Sequence, residues 1–444
     1  MMINTIIAAL AARHEIADWR ITERSRHGEE AFFVGRRLDM RREVAKRGYD
    51  LVVYVDGKGE DGAKTRGEAT VAVHPTMDEA EVSRLVERAA FAAARSRNPW
   101  YSLPGKAEAR IAPAADAFAG RPISATMGEL ATALYAGEAR VKGANINSLE
   151  LFLAREETRI VNSRGVDARF EGWKGYVEFT VEAASKEGPV ELTDFFSFAA
   201  ATPERFTEEL ATRLRNVADR ALATPTPTIE GLPLILTGAN AEELLGWFHM
   251  NLNAYDVYGK SSPFELGASV HGPDAGANGA DGGFDPVTLY AEARLEGAAA
   301  SAPFDPEGIP LDRVLLCDRG VAKKLWGPSR YAAFLGLPPE GNYPLFSIEG
   351  GTKSVADFRA QPHIEAAFFS DFTVDESSGD FGGEIRLAYV FDGKERRPVT
   401  GGSITGSLFD NRGSIRLSKE VALVENMLGP EAVLLPKVSI TGLS

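Results

Sequence analysis

The apolar positions along the first hundred residues change period several times, and each change predicts an element. Residues 3–13 carry apolar side chains at helical spacing. Residues 17–59 read instead as strands separated by turns, and Leu51 to Val55 is a compact apolar strand. It ends in Asp56-Gly57, a pair that favours hairpin turns. Residues 67–76 predict a further strand, closed by Pro75. From Thr76 the period becomes helical: Val82, Leu85, Val86, Ala89, Ala90 and Ala93 fall on one face, with Asp78 or Thr76 as the cap.

Residues 98–124 hold prolines, glycines and alanines without period and predict a connection. A second unit follows, with a helix over 127–143 and strands over 149–185. These strands turn at Asn162-Ser163-Arg164-Gly165. Residues 202–222 predict an amphipathic helix. Thr202 stands at its N-cap, Pro203 at its first position, and Leu210, Leu214 and Val217 on one face. Ala-Thr-Pro-Thr-Pro-Thr at 223–228 has the composition of a linker. Beyond it come short apolar strands and glycine turns, at 232–238, 286–295, 312–322, 364–374, 384–393, 403–409 and 432–442.

The expected fold class is therefore α+β: an N-terminal α/β region of mixed sheet and helices, then a β-rich C-terminal domain. The expected organisation is an α/β unit over 1–100, a connection over 101–125 and a second α/β unit over 126–222 packed with the first. The linker then leads to a C-terminal domain over 229–444. The glycine-rich stretch 272–283 is low in complexity and is expected to be a loop. No internal repeat of fixed period is present.

Composition narrows the function classes. Formal net charge is −14, which does not favour a polyanion such as nucleic acid. The one basic run, with Arg36, Arg37, Arg41, Arg42, Lys46 and Arg47, lacks interleaved stacking aromatics and reads as an exposed strand face. Cys317 is the only cysteine, so neither an internal disulfide nor a multi-cysteine zinc site can form. The N-terminus has no basic region ahead of its apolar run and reads as an amphipathic helix. No apolar run approaches the roughly 18 residues of a membrane span. A cytoplasmic location without membrane or nucleic-acid partners is expected.

Candidate chemistry is sparse. His14, His27, His74, His249, His271 and His363 are scattered, with no pair at helical spacing. Two imidazoles on one helix face are what a His-Glu-x-x-His zinc site requires. His249 lies on a helix beside the apolar stripe of Leu244, Phe248 and Leu252, with Asn253 four residues on. A partly buried imidazole hydrogen-bonded to backbone is the expectation. Cys317, in an apolar strand, reads as a buried inert thiol. The serines of Gly259–Pro263 and Gly402–Ser407 lack a nucleophile elbow, and no phosphate-binding glycine loop is present. Asp371, Asp375, Glu376 and Asp380 have the spacing of a solvated turn rather than a calcium loop.

Several stretches together resemble the TldD/PmbA family, whose members are also called TldE or modulators of DNA gyrase. They are Arg-Ile-Val-Asn-Ser-Arg-Gly-Val-Asp-Ala-Arg-Phe-Glu-Gly at 159–172, Gly-Lys-Ser-Ser-Pro-Phe-Glu-Leu-Gly-Ala-Ser-Val at 259–270, and the Phe304-Asp305-x-Glu307-Gly308 segment with the strand after it. The Gly379-Asp380-Phe381 turn, its strand, the Pro398-Val399 strand and the closing 434–442 complete the set. They run in family order from about residue 150 to the end, and the first hundred residues match in α/β layout.

In one branch of the family, the resemblance implies, a His-Glu-x-x-x-His helix and a later cysteine form a metal site. Laid over this chain, that motif falls on Gly246, Trp247 and Asn251, and no cysteine stands near Ser378-Gly379-Asp380. The chain is therefore similar to the PmbA/TldE branch, expected to lack catalytic residues and metal ligands. It would pair with a TldD-like metallopeptidase subunit, which would hold zinc and process peptide substrates, and it would form a homodimer when isolated. Position in the family pattern makes His249, Asn253, Ser261, Ser262, Ser378, Gly379 and Asp380 candidates for a peptide groove that holds extended chain. Whether the chain is itself an enzyme stays open. The alternatives are a metallopeptidase with a site built from His249, Asp371 and Asp380, and a peptide- or protein-binding homodimer without peptidase activity.

Overall fold

Two unusually long strands organise the N-terminal half. The computed structural model describes residues 2–112, 116–200, 202–272 and 283–443. Strand β1 (Asp18–Val34) and strand β2 (Arg37–Lys58) pair antiparallel from Asp18↔Tyr54 to Val34↔Arg37 around a tight turn at Gly35. The remaining strands of this sheet are β3 (Lys64–Val73), β4 (Asn98–Pro99), β5 (Ala144–Asn162), β6 (Asp167–Ser185) and β7 (Gly188–Phe198). Their order is β4-β3-β2-β1-β5-β6-β7, so strands from either side of the 101–125 connection lie in one sheet.

Helices cover one side of that sheet as two pairs. Helix α1 (Met2–Ala11) and helix α2 (Glu79–Ala93) bury Ile6, Leu10, Val82 and Val86 against Ile21, Leu51 and Val53. Asp78 caps α2 and forms a reciprocal box with Glu81. A Cβ on Gly67 would lie 1.8 Å from the Ala93 carbonyl oxygen, so only glycine lets β3 pass under the end of α2. Helix α3 (Ile123–Glu138) and helix α4 (Pro203–Ala221) bury Leu134, Phe206, Leu210, Leu214 and Val217 against Leu149, Leu151, Val177 and Phe179. Thr202 caps α4 ahead of Pro203, as the sequence predicts.

The Asp56-Gly57 pair is not the hairpin turn. Strand β2 runs on to Lys58 and the chain reverses over 59–63, where the Gly59 N–H donates to the Ala63 carbonyl. The reason lies in the partner of Asp56. Arg66, whose side chain is wholly buried, sits opposite it in the ladder, donates to its carboxylate at 2.7 Å and reaches Asp18 at 2.7 Å. Tyr54, Trp100 and Tyr101 stand around the guanidinium. Burial alone would raise the Asp18 carboxyl, but Arg164, Ser163 and Arg66 outweigh it and hold its pKa below the usual value. The same end of the sheet meets the C-terminal half. Arg20 pairs with Glu307, Arg330 pairs with Glu68, and Phe304 packs on Ile160, Val166 and Ala168.

Residues 223–228 are not a free tether. Strand β8 (Thr224–Pro225) pairs with Thr400 and Val399, Thr226 is fully buried, and its backbone N–H donates to Thr400. The C-terminal half is built on two sheets around one apolar core. At the centre of the larger sheet strand β9 (Leu234–Thr237) lies between Ala432–Leu435 and the parallel His363–Val374. The stretch 403–409 is strand only to Ser407, and Leu408–Asn411 turn as a short helix. The closing stretch forms two strands, Ala432–Leu435 and Val438–Thr441. The basic run lies on exposed β2, where Arg41, Arg42 and Arg47 pair with Glu29, Glu30 and Glu23 of β1. Of the glycine-rich stretch, 273–282 lies outside the described residues. Among the described residues no helix is long and apolar enough to cross a membrane.

Removing one member of a buried ion pair strands the other charge. Arg66→Leu is expected to lower unfolding free energy by about 3–5 kcal/mol, measured by urea melts at neutral pH. A loss under about 1 kcal/mol would show that Arg66 is not what fixes this end of the sheet.

Candidate functional site

The residues that matter most lie where β9 runs into helix α5 (Gly238–Met250). Both sheets of the C-terminal half pack on this helix, so it is apolar nearly all round. Ala241, Leu244, Leu245, Trp247, Phe248 and His249 are all buried. His249 is not at the edge of a stripe. Its ring lies between Trp326 at 4.3 Å and Phe346 at 4.8 Å, both nearly parallel to it. Burial pushes its pKa down to about 3, so the imidazole stays neutral. The backbone bond at this residue is made by its carbonyl, which accepts from Trp326 Nε1 at 2.8 Å; the ring Nε2 has no hydrogen-bond partner in the protein.

A second tie joins α5 to the turn between His363–Val374 and Asp380–Phe391. Trp247 Nε1 donates to the Glu376 carbonyl at 3.0 Å, and Asn251 Nδ2 donates to the same oxygen at 2.9 Å. Asn251 Nδ2 also reaches the Trp247 carbonyl at 3.0 Å. The turn is built for close approach. Gly379 has φ +66°, and a Cβ there would come within 3.3 Å of both Trp247 and Leu408. The Ser378 backbone N–H, then the Ser377 and Ser378 hydroxyls, hold the Asp375 carboxyl down at about 2. The acidic stretch is thus the solvated turn expected of it.

Between helix and turn runs a cleft of 840 Å³. Met250, Asn251, Asp256 and Ser261 line one side, and the segments 373–377 and 380–383 line the other. Ser261 and Asp380 both line this cleft. Asn253 and Ser262 shape its corner instead. The Asn253 side chain accepts from the Tyr255 N–H at the start of helix α6 (Ala254–Gly259), and the Ser262 hydroxyl donates to the Asn251 carbonyl at 2.6 Å. Ser378 and Gly379 form the turn. His249 lines a different, smaller cavity of 250 Å³. Among the described residues no three His, Cys, Asp or Glu side chains stand close enough to hold a metal ion, so the set His249, Asp371 and Asp380 does not converge. Burial pushes the Cys317 thiol up to about 12, and Cys317 lies in the core as an inert group.

Pattern reading missed the walls of the smaller cavity. Glu242, Glu243 and Glu376 line it together with Trp247, Trp326, Tyr343 and Phe346. Burial, then Glu243 and Glu425, push the Glu242 carboxyl up to about 7. The sequence signal was an adjacent Glu-Glu pair in the first turns of an otherwise buried helix.

Residues 230–442 match the family described as PmbA/TldA metallopeptidase C-terminal domain. Three crystal structures share the fold across nearly the whole chain. TldE from Thermococcus kodakarensis is 17% identical, with a TM-score of 0.77, over 99% of this chain and 100% of that one. A protein described as a candidate modulator of DNA gyrase from Thermotoga maritima is 16% identical, with a TM-score of 0.77, over 99% and 100%. A third, similarly described, from Bacteroides thetaiotaomicron is 16% identical, with a TM-score of 0.76, over 99% and 97%. No curated protein matches. Fold and C-terminal domain together define a protein of the metallopeptidase-related α+β class. Residues 230–442 carry the C-terminal domain of that family, and the chain as a whole shares the fold of the three structures.

The metal that the family name implies does not fit the motif positions of this chain. Gly246 offers no donor atom. The Trp247 indole carries only an N–H, which is committed to Glu376, and Asn251 turns its amide nitrogen to that same carbonyl. Zinc requires imidazole, thiolate or carboxylate ligands.

Two outcomes follow from this geometry. Asn251→Ala should speed amide exchange across 374–380 at least about fivefold in hydrogen–deuterium exchange, because one of two bonds to Glu376 is lost. Unchanged exchange would show that the tie does not restrain the turn. Glu242 has a folded pKa raised well above its ordinary 4.5, so its contribution is present below that value and lost as pH rises through about 7. Glu242→Gln should therefore gain on the order of 1–2 kcal/mol over the parent at pH 8, an advantage that vanishes near pH 4. Equal stability at pH 8 would contradict the burial of this carboxylate.

Proposed function

We propose that the chain is a PmbA/TldE-like subunit without hydrolytic chemistry of its own, which assembles with a TldD-like metallopeptidase to process peptides. The carrying observation is what replaces the metal motif. Where the family resemblance calls for two imidazoles and a general base, this helix has Gly246, Trp247 and Asn251. The two side chains there fasten a loop. Metal-assisted hydrolysis needs an ion that activates water, and these groups cannot supply the ligands for one. Zinc belongs in the partner on this reading. The cleft beside α5, with Ser261 on one wall and Asp380 on the other, is the surface offered to an extended peptide. The likeness of fold to a TldE structure is in keeping with the assignment, and the net charge of −14 speaks against nucleic acid as partner.

The test is reconstitution. The chain is purified alone and after co-expression with a TldD-like subunit, and both samples are assayed on an unfolded protein substrate with and without chelator. The expected result is a stable complex with chelator-sensitive hydrolysis, and less than about 1% of that rate for the chain alone. Chelator-sensitive hydrolysis by the isolated chain would overturn the proposal. So would failure of the two chains to associate at micromolar concentration.

A further inference from the structure

A notch in β6 leaves open space between the two halves of the chain. Strand alternation puts Phe170, Gly172 and Lys174 on the face of the sheet turned away from α3 and α4. Phe304 of the C-terminal half packs on that face against Ile160 and Ala168, and it stacks on Phe170 with ring centroids 6.4 Å apart. Further along β6, Lys174 Nζ donates to the Ala299 carbonyl. The segment 299–304 is thus pinned to the strand at two points. Between them stands Gly172, where a Cβ would meet nothing within 4 Å. The result is a cavity of 630 Å³, whose lining includes Thr158, Phe170, Gly172, Lys174 and Phe304. That volume is ordinary for a small-molecule site.

The charge around this cavity is unbalanced, since five cationic and four anionic side chains line it. The Glu156 carboxylate, opposite Gly172 in the ladder, is already paired with Arg26 at 3.8 Å, and Arg155 takes Asp116 and Glu171. Lys174 is half-buried and has no ion pair among the described residues. Burial lowers its pKa against the pull of Glu156, as expected of an ammonium short of counter-charge. An ammonium has three N–H donors. Holding Ala299 accounts for one of them and leaves the other two, and the charge, unanswered. The Thr158 hydroxyl, across the ladder from Phe170, likewise has no hydrogen-bond partner among the described residues.

Free donors beside ring faces suit an anion carried on an apolar body. A carboxylate accepts charge-assisted hydrogen bonds from an ammonium, and its hydrocarbon portion packs on the rings. The surplus is one charge, which matches a monoanion better than a phosphate dianion. We infer that the space over Gly172 is a binding site for a small organic carboxylate, with its anionic group on Lys174 and its apolar body against Phe170 and Phe304. A free carboxylic acid and the C-terminus of a peptide both carry this chemistry. The cavity shares no lining residue with the cleft beside α5, and the site does not rest on the subunit assignment.

The experiment titrates 3-phenylpropionate into the purified chain at pH 7 by isothermal titration calorimetry, with 3-phenylpropan-1-ol as the neutral control. One site per chain is expected for the acid, and the alcohol should bind at least about tenfold more weakly. K174M removes the ammonium and keeps an apolar stem, whereas G172L fills the notch. Each should weaken the acid at least about tenfold. In the unaltered chain, saturating acid should slow acetylation of Lys174 by an N-hydroxysuccinimide ester at least about threefold, read by peptide mass spectrometry. No saturable binding of the acid, equal affinity for the alcohol, unaltered affinity in both variants, or no protection of Lys174 would overturn the site. Competition separates the two sources. Displacement of the acid by Gly-Gly-Phe but not by its C-terminal amide assigns a peptide C-terminus, and no displacement by either assigns a free acid. Displacement by the amide as well would overturn recognition of the carboxylate.

Discussion

One carbonyl oxygen carries the central architecture of the site. The Glu376 backbone accepts two N–H groups from α5, one from the Trp247 indole and one from the Asn251 amide. Apart from them the turn over 375–379 is held by its own Asp375 bonds and by the Leu408 N–H, which donates to the Gly379 carbonyl at 2.7 Å. With them, it is fastened to the most buried helix of the C-terminal half, and the cleft gains two walls at a fixed distance. On the proposed reading, the chemistry of that helix is what separates a scaffold from a metal centre. Indole and amide donate outward to backbone, whereas a metal site needs lone pairs converging on one point.

The N-terminal sheet is connected to that centre through charge rather than apolar packing alone. Arg66, Asp18 and Asp56 fix the strand ends at the edge of the sheet, and Arg20–Glu307 and Glu68–Arg330 carry the contact across to the C-terminal half. Buried pairs of this kind add little net stability, but losing one partner is costly. They therefore specify how the two halves meet. Glu307 belongs to the Phe304–Gly308 segment, one of the stretches by which the chain resembles its family, and Asp305 beside it accepts the Glu307 and Ile309 backbone N–H groups.

Local signals in the sequence translated directly wherever the decisive interactions were local. Asp78 with Glu81, and Thr202 with Pro203, announce helix starts because a cap is made within four residues. The helical faces of α2 and α4 follow from spacing for the same reason. Long-range partners defeated the reading elsewhere. Asp56-Gly57 has the composition of a turn but stays in the ladder because Arg66 lies across from it. Residues 223–228 look like a tether but lie against Thr400. The His249 ring was expected to bond backbone and is stacked between Trp326 and Phe346, respectively 77 and 97 positions further along the chain. The cleft was half legible, since Ser261 and Asp380 could be placed by family pattern. The acidic cavity was not, because only folding brings Glu376 to Glu242 and Glu243.

On the proposed reading, α5 ties a loop instead of binding a metal. Elemental mass spectrometry of the purified chain, after a mild chelator wash, tests it most directly. The prediction is less than about 0.1 zinc per chain, since Gly246, Trp247 and Asn251 cannot make the ligand set of a tight site. One zinc retained per chain, and lost on substitution of His249, would contradict it.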